Sequence, residues 1–372
     1  MVGYLVFLTI STAIFALFSL GLNLQWGFTG LINFGHVAFM TVGAYTTVLL
    51  SLYGVPLIIS ALIGSLLAAL LGLLIGLSTL RLREDYLGIV TIGVSELVRI
   101  FVNNQQLPTP NGLVDGVQGL QSYPLPLTNI VPNPLFKLAT VGLLTGVALL
   151  CLWRMWGWVK APQTKKNSRY SFAVRVILGI VAVAFIMTIY LTGLTALSDY
   201  SRYEKSGLMV AVLIVLTMVF WLLELLVRSP WGRVLKSIRE DEQIAKALGK
   251  NVFWYKLQAF MLGGAIAGIA GAFFAWQLTT IYPNSFEPIT TFNAWIIVIL
   301  GGASNNAGTL LGAIIFFTYE ELTRNVLPQI IPLDEARLAA FRIMVIGFLL
   351  MVMMIWRPQG LLGKKEELTL GK

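Results

Sequence analysis

The stretch LNLQWGFTGLINFGHVAF, Leu22–Phe39, decides how the rest of this chain is read. It lies within residues 1–80, which contain no Asp, Glu, Lys or Arg, and its only ionisable side chain is His36, the single histidine of the protein. Around it stand Asn23, Gln25, Trp26, Asn33 and the glycines Gly21, Gly27, Gly30 and Gly35. Amides and glycines gathered in an otherwise oily run are signs of backbone that leaves the helix and must find hydrogen bonds without water.

The composition around this stretch defines the class. Hydrophobic residues make up 57% of the 372, charged residues 12%, and the mean hydropathy is +0.81. Soluble domains carry about a quarter charged residues. A chain this apolar is an integral membrane protein, and its recurring runs of about 20 residues are each long enough for a helical span. The ten-residue alternation of a membrane β-barrel is missing. The expected fold is therefore all-α, a polytopic transmembrane helical bundle of 9–10 spans with a broken or re-entrant segment in each half. The first run lacks a basic flank and is too long for a signal-peptide core, so it reads as a retained span. The lone Cys151 excludes an intrachain disulfide and a cysteine-cluster metal site.

Apolar spans are expected over 4–22, 37–53, 57–80, 86–103, 136–153, 174–197, 207–227, 257–281 and 338–356. The charges give the orientation. Basic residues collect at Arg81 and Arg83, between Arg154 and Arg175, between Arg228 and Lys256, and in the tail from Arg357 to Lys372. A nine-crossing path with the N-terminus outside puts all four regions in the cytoplasm. The loop Asn104–Phe136, with no Lys or Arg, then lies outside. The net charge of +9 is thus an orientation signature, and nucleic acid is not an expected partner. The chain reads as one transmembrane domain over 1–372: a first half 1–153, a basic cytoplasmic insertion 154–175, a second half 176–356 and a cytoplasmic tail 357–372.

Region 292–322 is too short for two crossings and carries GGASNNAG, Gly301–Gly308, at its centre. Two helices that enter and return are expected, a break corresponding to that of Leu22–Phe39. Breaks in both halves point to a substrate pathway. Asn23, Gln25, Asn33, Gly35, His36, Gly301, Gly302, Asn305 and Asn306 are the candidate pathway residues. For His36 two readings stand, a pathway contact and a neutral group bonded to freed backbone. Small residues at four-residue spacing, Gly64, Ala68, Gly72 and Gly76 and again Gly264 and Gly268, predict close helix packing. Glu96 with Arg99, and Glu224 with Arg228, stand at spacings that share a helix face.

The loop RSPWGRVLKSIREDEQIAKALGKNVFWYKLQAF, Arg228–Phe260, contains an amphipathic run, Gly232–Leu248, closed by Gly249 as a C-cap. Val234, Leu235, Ile238, Ala245 and Leu248 form its apolar side, and Arg239, Glu240, Asp241 and Glu242 a charged cluster. A solvated surface loop and a docking helix both fit that pattern. No GxxxxGK[ST] phosphate loop occurs in the chain. No nucleophile–base pair is present either.

This loop resembles the coupling segment of ATP-binding-cassette (ABC) importer permeases, in particular those for branched-chain and other hydrophobic amino acids. Ser237 replaces their usual Ala, and Gln243-Ile244-Ala245 stands where the general motif has Glu-Ala-Ala. NLQWGFTGLINFGHVAFMTVGAYT at Asn23–Thr46, RLREDYLGIVTIGVSELVR at Arg81–Arg99 and ILGGASNNAGTLLGA at Ile299–Ala313 resemble the same family in the same order. The resemblance implies a permease without enzymatic activity or cofactor of its own, in a bacterial inner membrane. Its implied partners are cytoplasmic ATPase subunits that bind ATP and Mg, a second homologous permease and an extracytoplasmic binding protein. Arg239, Glu240, Asp241, Glu242, Ala245, Leu248 and Gly249 would couple the chain to the ATPases. An importer of urea or another small amide is built on the same pattern, and a secondary transporter is the alternative from another class.

Overall fold

The computed structural model describes residues 2–80, 84–110, 112–127, 134–160, 179–180, 183, 186–195, 205–330 and 334–363. The described residues are overwhelmingly helical, as an oily chain must be when lipid offers its backbone no hydrogen bonds. They form α1 (Val2–Leu22), α2 (Val37–Leu52), α3 (Leu57–Thr79), α4 (Glu84–Asn104), α5 (Pro134–Lys160), α6 (Ile186–Thr195) and α7 (Ser206–Arg228). After these come α8 (Pro230–Glu240), α9 (Glu242–Ala247), α10 (Val252–Leu278), α11 (Pro288–Gly301), α12 (Asn306–Ile330) and α13 (Glu335–Trp356). Among the described residues six helices are long and apolar enough to cross a bilayer, and a bent pair raises this to seven. This is the polytopic helical bundle the composition requires. Of the span expected at 174–197 only part is described, ending in α6; the basic residues Lys165, Lys166, Arg169 and Arg175 lie outside the described residues.

The chain forms two compact units. One comprises Met1–Ile10 and Pro126–Ala211. There the hydroxyls of Thr145 on α5 and Tyr190 on α6 meet at 3.3 Å, and Gly193 lets α6 approach Leu144. The other unit comprises Ser11–Leu125 and Val212–Lys372 and holds every candidate site residue.

The heart of the second unit is the triple packing of α2, α3 and α10. The small-residue ladders expected from sequence face each other here. A Cβ on Gly268 of α10 would lie 2.7 Å from the Ala68 Cβ of α3, and one on Gly72 would lie 3.2 Å from Met261 Cα. Gly43 of α2, which the ladders do not include, is another point of close approach: a Cβ there would lie 2.5 Å from Gly268 Cα. Backbones in such contact gain dispersion energy that lipid-facing side chains would not supply. Around this core α1 and α10 are largely enclosed, whereas few residues of α13 are buried and its apolar side chains are exposed or half-buried.

The loop after α4 folds as an antiparallel hairpin of β1 (Gln106–Thr109) and β2 (Gly112–Asp115). A second short pairing joins β3 (Leu120–Gln121) to β4 (Thr280–Ile281), just past the end of α10. The Tyr123 hydroxyl donates to the Ala275 carbonyl and holds this loop on α10. Arg99 binds Glu96 through Nε at 3.0 Å and Nη2 at 2.8 Å, and Asn284 through Nη1 at 3.2 Å, an interfacial cluster at the same end of α4.

Two expected elements differ in detail. The run Gly232–Leu248 is two helices, because Asp241 adopts an extended conformation (φ −155°) and uses its carboxylate to cap α9. Its Oδ1 accepts from the amides of Gln243 at 2.8 Å and Ile244 at 3.0 Å. The pair at 292–322 is also asymmetric. α11 has 14 residues and α12 has 25, because α12 continues through Glu320, Glu321 and Arg324, with a Glu320–Arg324 pair at i,i+4. The chain bends by 117° at the break between the two helices.

Candidate functional site

The first break is built by the glycines and amides of Leu22–Phe39. α1 passes into one π-helical segment, Asn23–Phe28. Such a bulge widens the turn and releases carbonyls from the regular ladder. The chain leaves it through Gly30 (φ +82°), a conformation that glycine adopts without strain. Gly30 N donates to Trp26 O and Leu31 N to Gln25 O, both at 2.9 Å. Beyond it the irregular backbone to His36 is almost entirely buried, and side chains supply its hydrogen bonds.

Gln25 donates from Nε2 to Phe260 O at 2.8 Å and accepts from Asn33 Nδ2 at 2.8 Å. Asn33 Oδ1 accepts from Gly35 N at 2.9 Å. Neighbouring helices close the rest. Thr91 on α4 accepts from Phe34 N at 3.1 Å, Thr291 on α11 accepts from Val37 N at 2.9 Å, and the Trp295 indole donates to Asn33 O at 3.1 Å. His36 Nε2 lies 3.1 Å from Phe18 O of α1, while Nδ1 has no hydrogen-bond partner. Gly35 sits so close to Thr91 that a Cβ would run into its carbonyl.

The second break is the turn from Gly302 to Asn305. Gly302 and Ser304 both take positive φ, 109° and 65°. The last carbonyls of α11, left open as at any helix end, are bound by the segment after α13: Leu361 N donates to Leu300 O and Leu362 N to Gly301 O, each at 3.0 Å. Asn305 ties the turn together, donating to Leu362 O at 2.8 Å and accepting from Gly308 N at 3.1 Å. Gly301 packs directly on the Gly308 backbone where α11 and α12 cross.

The two breaks meet. Asn23 Nδ2 donates to Asn306 Oδ1 at 3.2 Å, and Asn23 Oδ1 accepts from Ser304 N at 3.1 Å. The Ser304 hydroxyl donates to Gly27 O at 2.6 Å. Trp26 and Trp295 rings stand 4.5 Å apart, with Phe34 against Phe292 and Trp295. Asn23, Gln25, Asn33, His36 and Asn306 are all fully or almost fully buried, each with an internal partner.

The amphipathic segment lies directly against this junction. Arg239, near the end of α8, donates to both Gly27 O and the Ser304 hydroxyl. Lys236 Nζ stands 5.6 Å above the Phe28 ring. Leu235, Ile238 and Ala245 are buried, and Ile238 and Ala245 pack on Val252 at the start of α10. Glu242 binds Lys246 at 2.8 Å and the largely buried Lys256 at 2.6 Å. Partial burial pushes the Glu242 carboxyl up, but the hydrogen bonds and charges of the two lysines outweigh it and hold the group below its ordinary value. A Schellman motif closes α9, with Gly249 (φ +74°) donating to Lys246 O at 2.9 Å and Lys250 to Ala245 O at 3.1 Å. Opposite the buried face, Glu240, Asp241, Ile244 and Leu248 are exposed; for the apolar pair Ile244 and Leu248 the exposure is 59% and 71%. Leu248 therefore points away from the apolar side to which its spacing assigns it.

Sequence reasoning misses Ser304, Thr91 and Thr291 as members of the site, and it reads Glu224, whose Oε2 accepts from Asn306 Nδ2 at 3.3 Å, only as the partner of Arg228. Ser304 sits inside the quoted turn, and its standing as the one hydroxyl there is the signal that could have found it. The threonines are ordinary within apolar helices and give no signal.

Membrane-length helices, two broken elements joined at buried amides and an amphipathic segment docked beneath them define a multi-pass membrane protein of the transport-permease class. The sequence matches the model of the family described as "Branched-chain amino acid transport system / permease component" over residues 4–354, and the chain belongs to that family. It is thus a permease component rather than an enzyme. It is 32% identical to the high-affinity branched-chain amino acid transport system permease protein LivM of Escherichia coli (strain K12), over 94% of this chain and 68% of that one. The protein of the same name from Salmonella typhimurium is 30% identical over the same shares. A probable branched-chain amino acid transport permease protein LivM from Methanocaldococcus jannaschii is 30% identical over 42% of this chain and 47% of its own. No solved structure matches the chain.

Proposed function

We propose that this chain is the permease subunit through which an ABC importer of a bacterial inner membrane takes up neutral, branched-chain amino acids. A second homologous permease completes the pathway, and an extracytoplasmic binding protein delivers the solute. Cytoplasmic ATPase subunits carrying ATP and Mg supply the drive. The observation that carries the reading is the contact of α8, through Arg239, with both broken elements at once. A force applied to α8–α9 from outside the bundle reaches the breaks without passing through an intervening helix.

The exposed face of α9 fits an ATPase surface. Ile244 and Leu248, one turn apart, form a small apolar knob, rimmed by Glu240, Asp241, Lys246 and Lys250. An apolar centre with a charged rim is the usual build of a protein interface. The distribution of Lys and Arg supports a cytoplasmic position for α8–α9 and for the tail, and an external one for the β1–β2 hairpin and the N-terminus. The breaks contribute amides, hydroxyls and backbone dipoles, which are paired with one another in this conformation and reach a solute only when the breaks re-pair. Such groups contact the ammonium and carboxylate of a zwitterion without fixing a net charge, and they leave the choice of side chain to the binding protein.

Uptake of labelled leucine by cells carrying the intact system tests the substrate. Competition by unlabelled leucine, isoleucine and valine, with no effect of urea, is expected. Competition by urea and not by leucine would move the chain to the small-amide importers.

A further inference from the structure

The contacts between α8 and the breaks form a closed circuit that holds the helix at both ends. At its far end Arg239 donates to Gly27 O and the Ser304 hydroxyl. Ser304 N donates to Asn23 Oδ1 at 3.1 Å, and Asn23 Nδ2 to Asn306 Oδ1 at 3.2 Å. Asn306 Nδ2 donates to Glu224 Oε2 at 3.3 Å, and the other Glu224 oxygen accepts from Arg228 Nε at 2.9 Å. Arg228 is the residue before Ser229 and Pro230, where α8 begins.

We propose that this circuit is the element that transmits movement of α8 to the two breaks, with Arg239 as its positioning residue. The inference rests on the coupling role given above to α8–α9. Each member uses its side chain in two directions. The Ser304 hydroxyl accepts from Arg239 and donates to Gly27; Asn23 accepts from the turn and donates to α12; Asn306 accepts from Asn23 and donates to α7. Asn23 and Asn306 are buried, so an amide left unpaired there is unfavourable, and a displacement at one member must re-pair the next. The circuit therefore moves or re-pairs as a unit, which is what a two-state coupling element requires.

Arginine suits the position for two reasons. Its planar fork presents donors to two acceptors at once, which an ammonium does less rigidly. Its charge also faces a carbonyl at the C-terminal end of a helical segment, where the backbone dipole is negative. The spacing has no slack. A Cβ on Gly27 would run into Asn23 Oδ1 and lie 2.7 Å from Ser304 N, forcing the breaks apart.

The test uses the whole complex in proteoliposomes, with leucine-loaded binding protein, and measures leucine transported per ATP hydrolysed. Arg239→Gln is expected to lower that ratio about tenfold, the usual scale of coupling between sites. Ser304→Ala should lower it less, and Arg239→Lys should recover part of it. A wild-type ratio in both Arg239→Gln and Ser304→Ala would overturn the proposal. So would an Arg239→Gln chain that fails to co-purify with its ATPases while Ser304→Ala transports normally, since Arg239 would then serve assembly alone. A wild-type complex without ATP-dependent uptake would instead overturn the coupling role on which the circuit rests.

Discussion

Arg239 and Ser304, 65 positions apart in sequence, share a hydrogen bond, and through it the amphipathic helix α8 touches the turn between α11 and α12. The same guanidinium reaches Gly27 in the first break. One side chain thus meets both places where the bundle's helices are interrupted.

The helix-packing core gives a sharp stability prediction. Gly43→Ala places a methyl group against the Gly268 backbone and forces α2 and α10 apart, at a cost of about 1–3 kcal/mol typical of overpacking. Gly93→Ala, on α4, meets nothing within 4 Å and should leave stability unchanged or slightly raised. Thermal unfolding of the two variants in the same detergent separates them. Equal midpoints would contradict the close approach of α2 and α10.

Gln25 should be indispensable to the first break. Gln25→Leu leaves the buried Asn33 Nδ2 without its acceptor and removes the side-chain bond that ties the break to Phe260 O of α10, and an unsatisfied buried group of this kind costs about 1–3 kcal/mol. A lowered unfolding midpoint with normal membrane insertion is expected. An unchanged midpoint would mean that the amide is not what holds the irregular backbone.

α9 should titrate through Glu242. Its folded-state pKa is depressed, so the stabilisation it gives is present above the ordinary carboxyl value and is lost as pH falls through the folded value. Hydrogen exchange of the α9 amides should therefore accelerate as the pH is lowered below the carboxyl range, once the intrinsic pH dependence is removed. Glu242→Gln should exchange faster than wild type at neutral pH and show no such step. A step that survives in Glu242→Gln would assign it to another group.

Asp241 makes a complementary prediction. Its carboxylate caps α9, and Asp241→Ala should destabilise that short helix by about 1 kcal/mol, whereas Asp241→Asn keeps an accepting oxygen. Faster exchange at Gln243 and Ile244 in the alanine variant alone is expected. Equal exchange in both variants would place the stability of α9 in Glu242 and its lysines instead.

Much of this site is legible in the sequence, and the limit of legibility is physical. A chargeless run with Asn, Gln, His and glycines reads as broken backbone served by side chains; Asn33 serves Gly35 N in that way, while Gln25 and His36 reach carbonyls of the neighbouring helices α10 and α1. GGASNNAG is recognisable as a turn for the same reason. Their meeting is not, because Asn23 and Asn306 are separated by 283 positions and no local pattern encodes a long-range pairing. The two-helix form of the amphipathic segment is hidden as well. In EDEQ, any of three acidic residues could continue a helix, and only the packing of Ile238 and Ala245 on Val252 makes Asp241 the one that breaks and caps. Gly43 gives no local signal, because its partner ladder lies on a helix more than 200 positions away.

The central claim is that this chain is a permease worked by ATPases. It is tested most directly by leucine uptake into proteoliposomes holding this chain, its second permease and its ATPases, with binding protein at the pathway's external face. Uptake that requires ATP and binding protein, and is indifferent to collapse of the ion gradients by an uncoupler, is the predicted result. Uptake by this chain alone, without ATPases and abolished by the uncoupler, would contradict it and make the protein a secondary transporter.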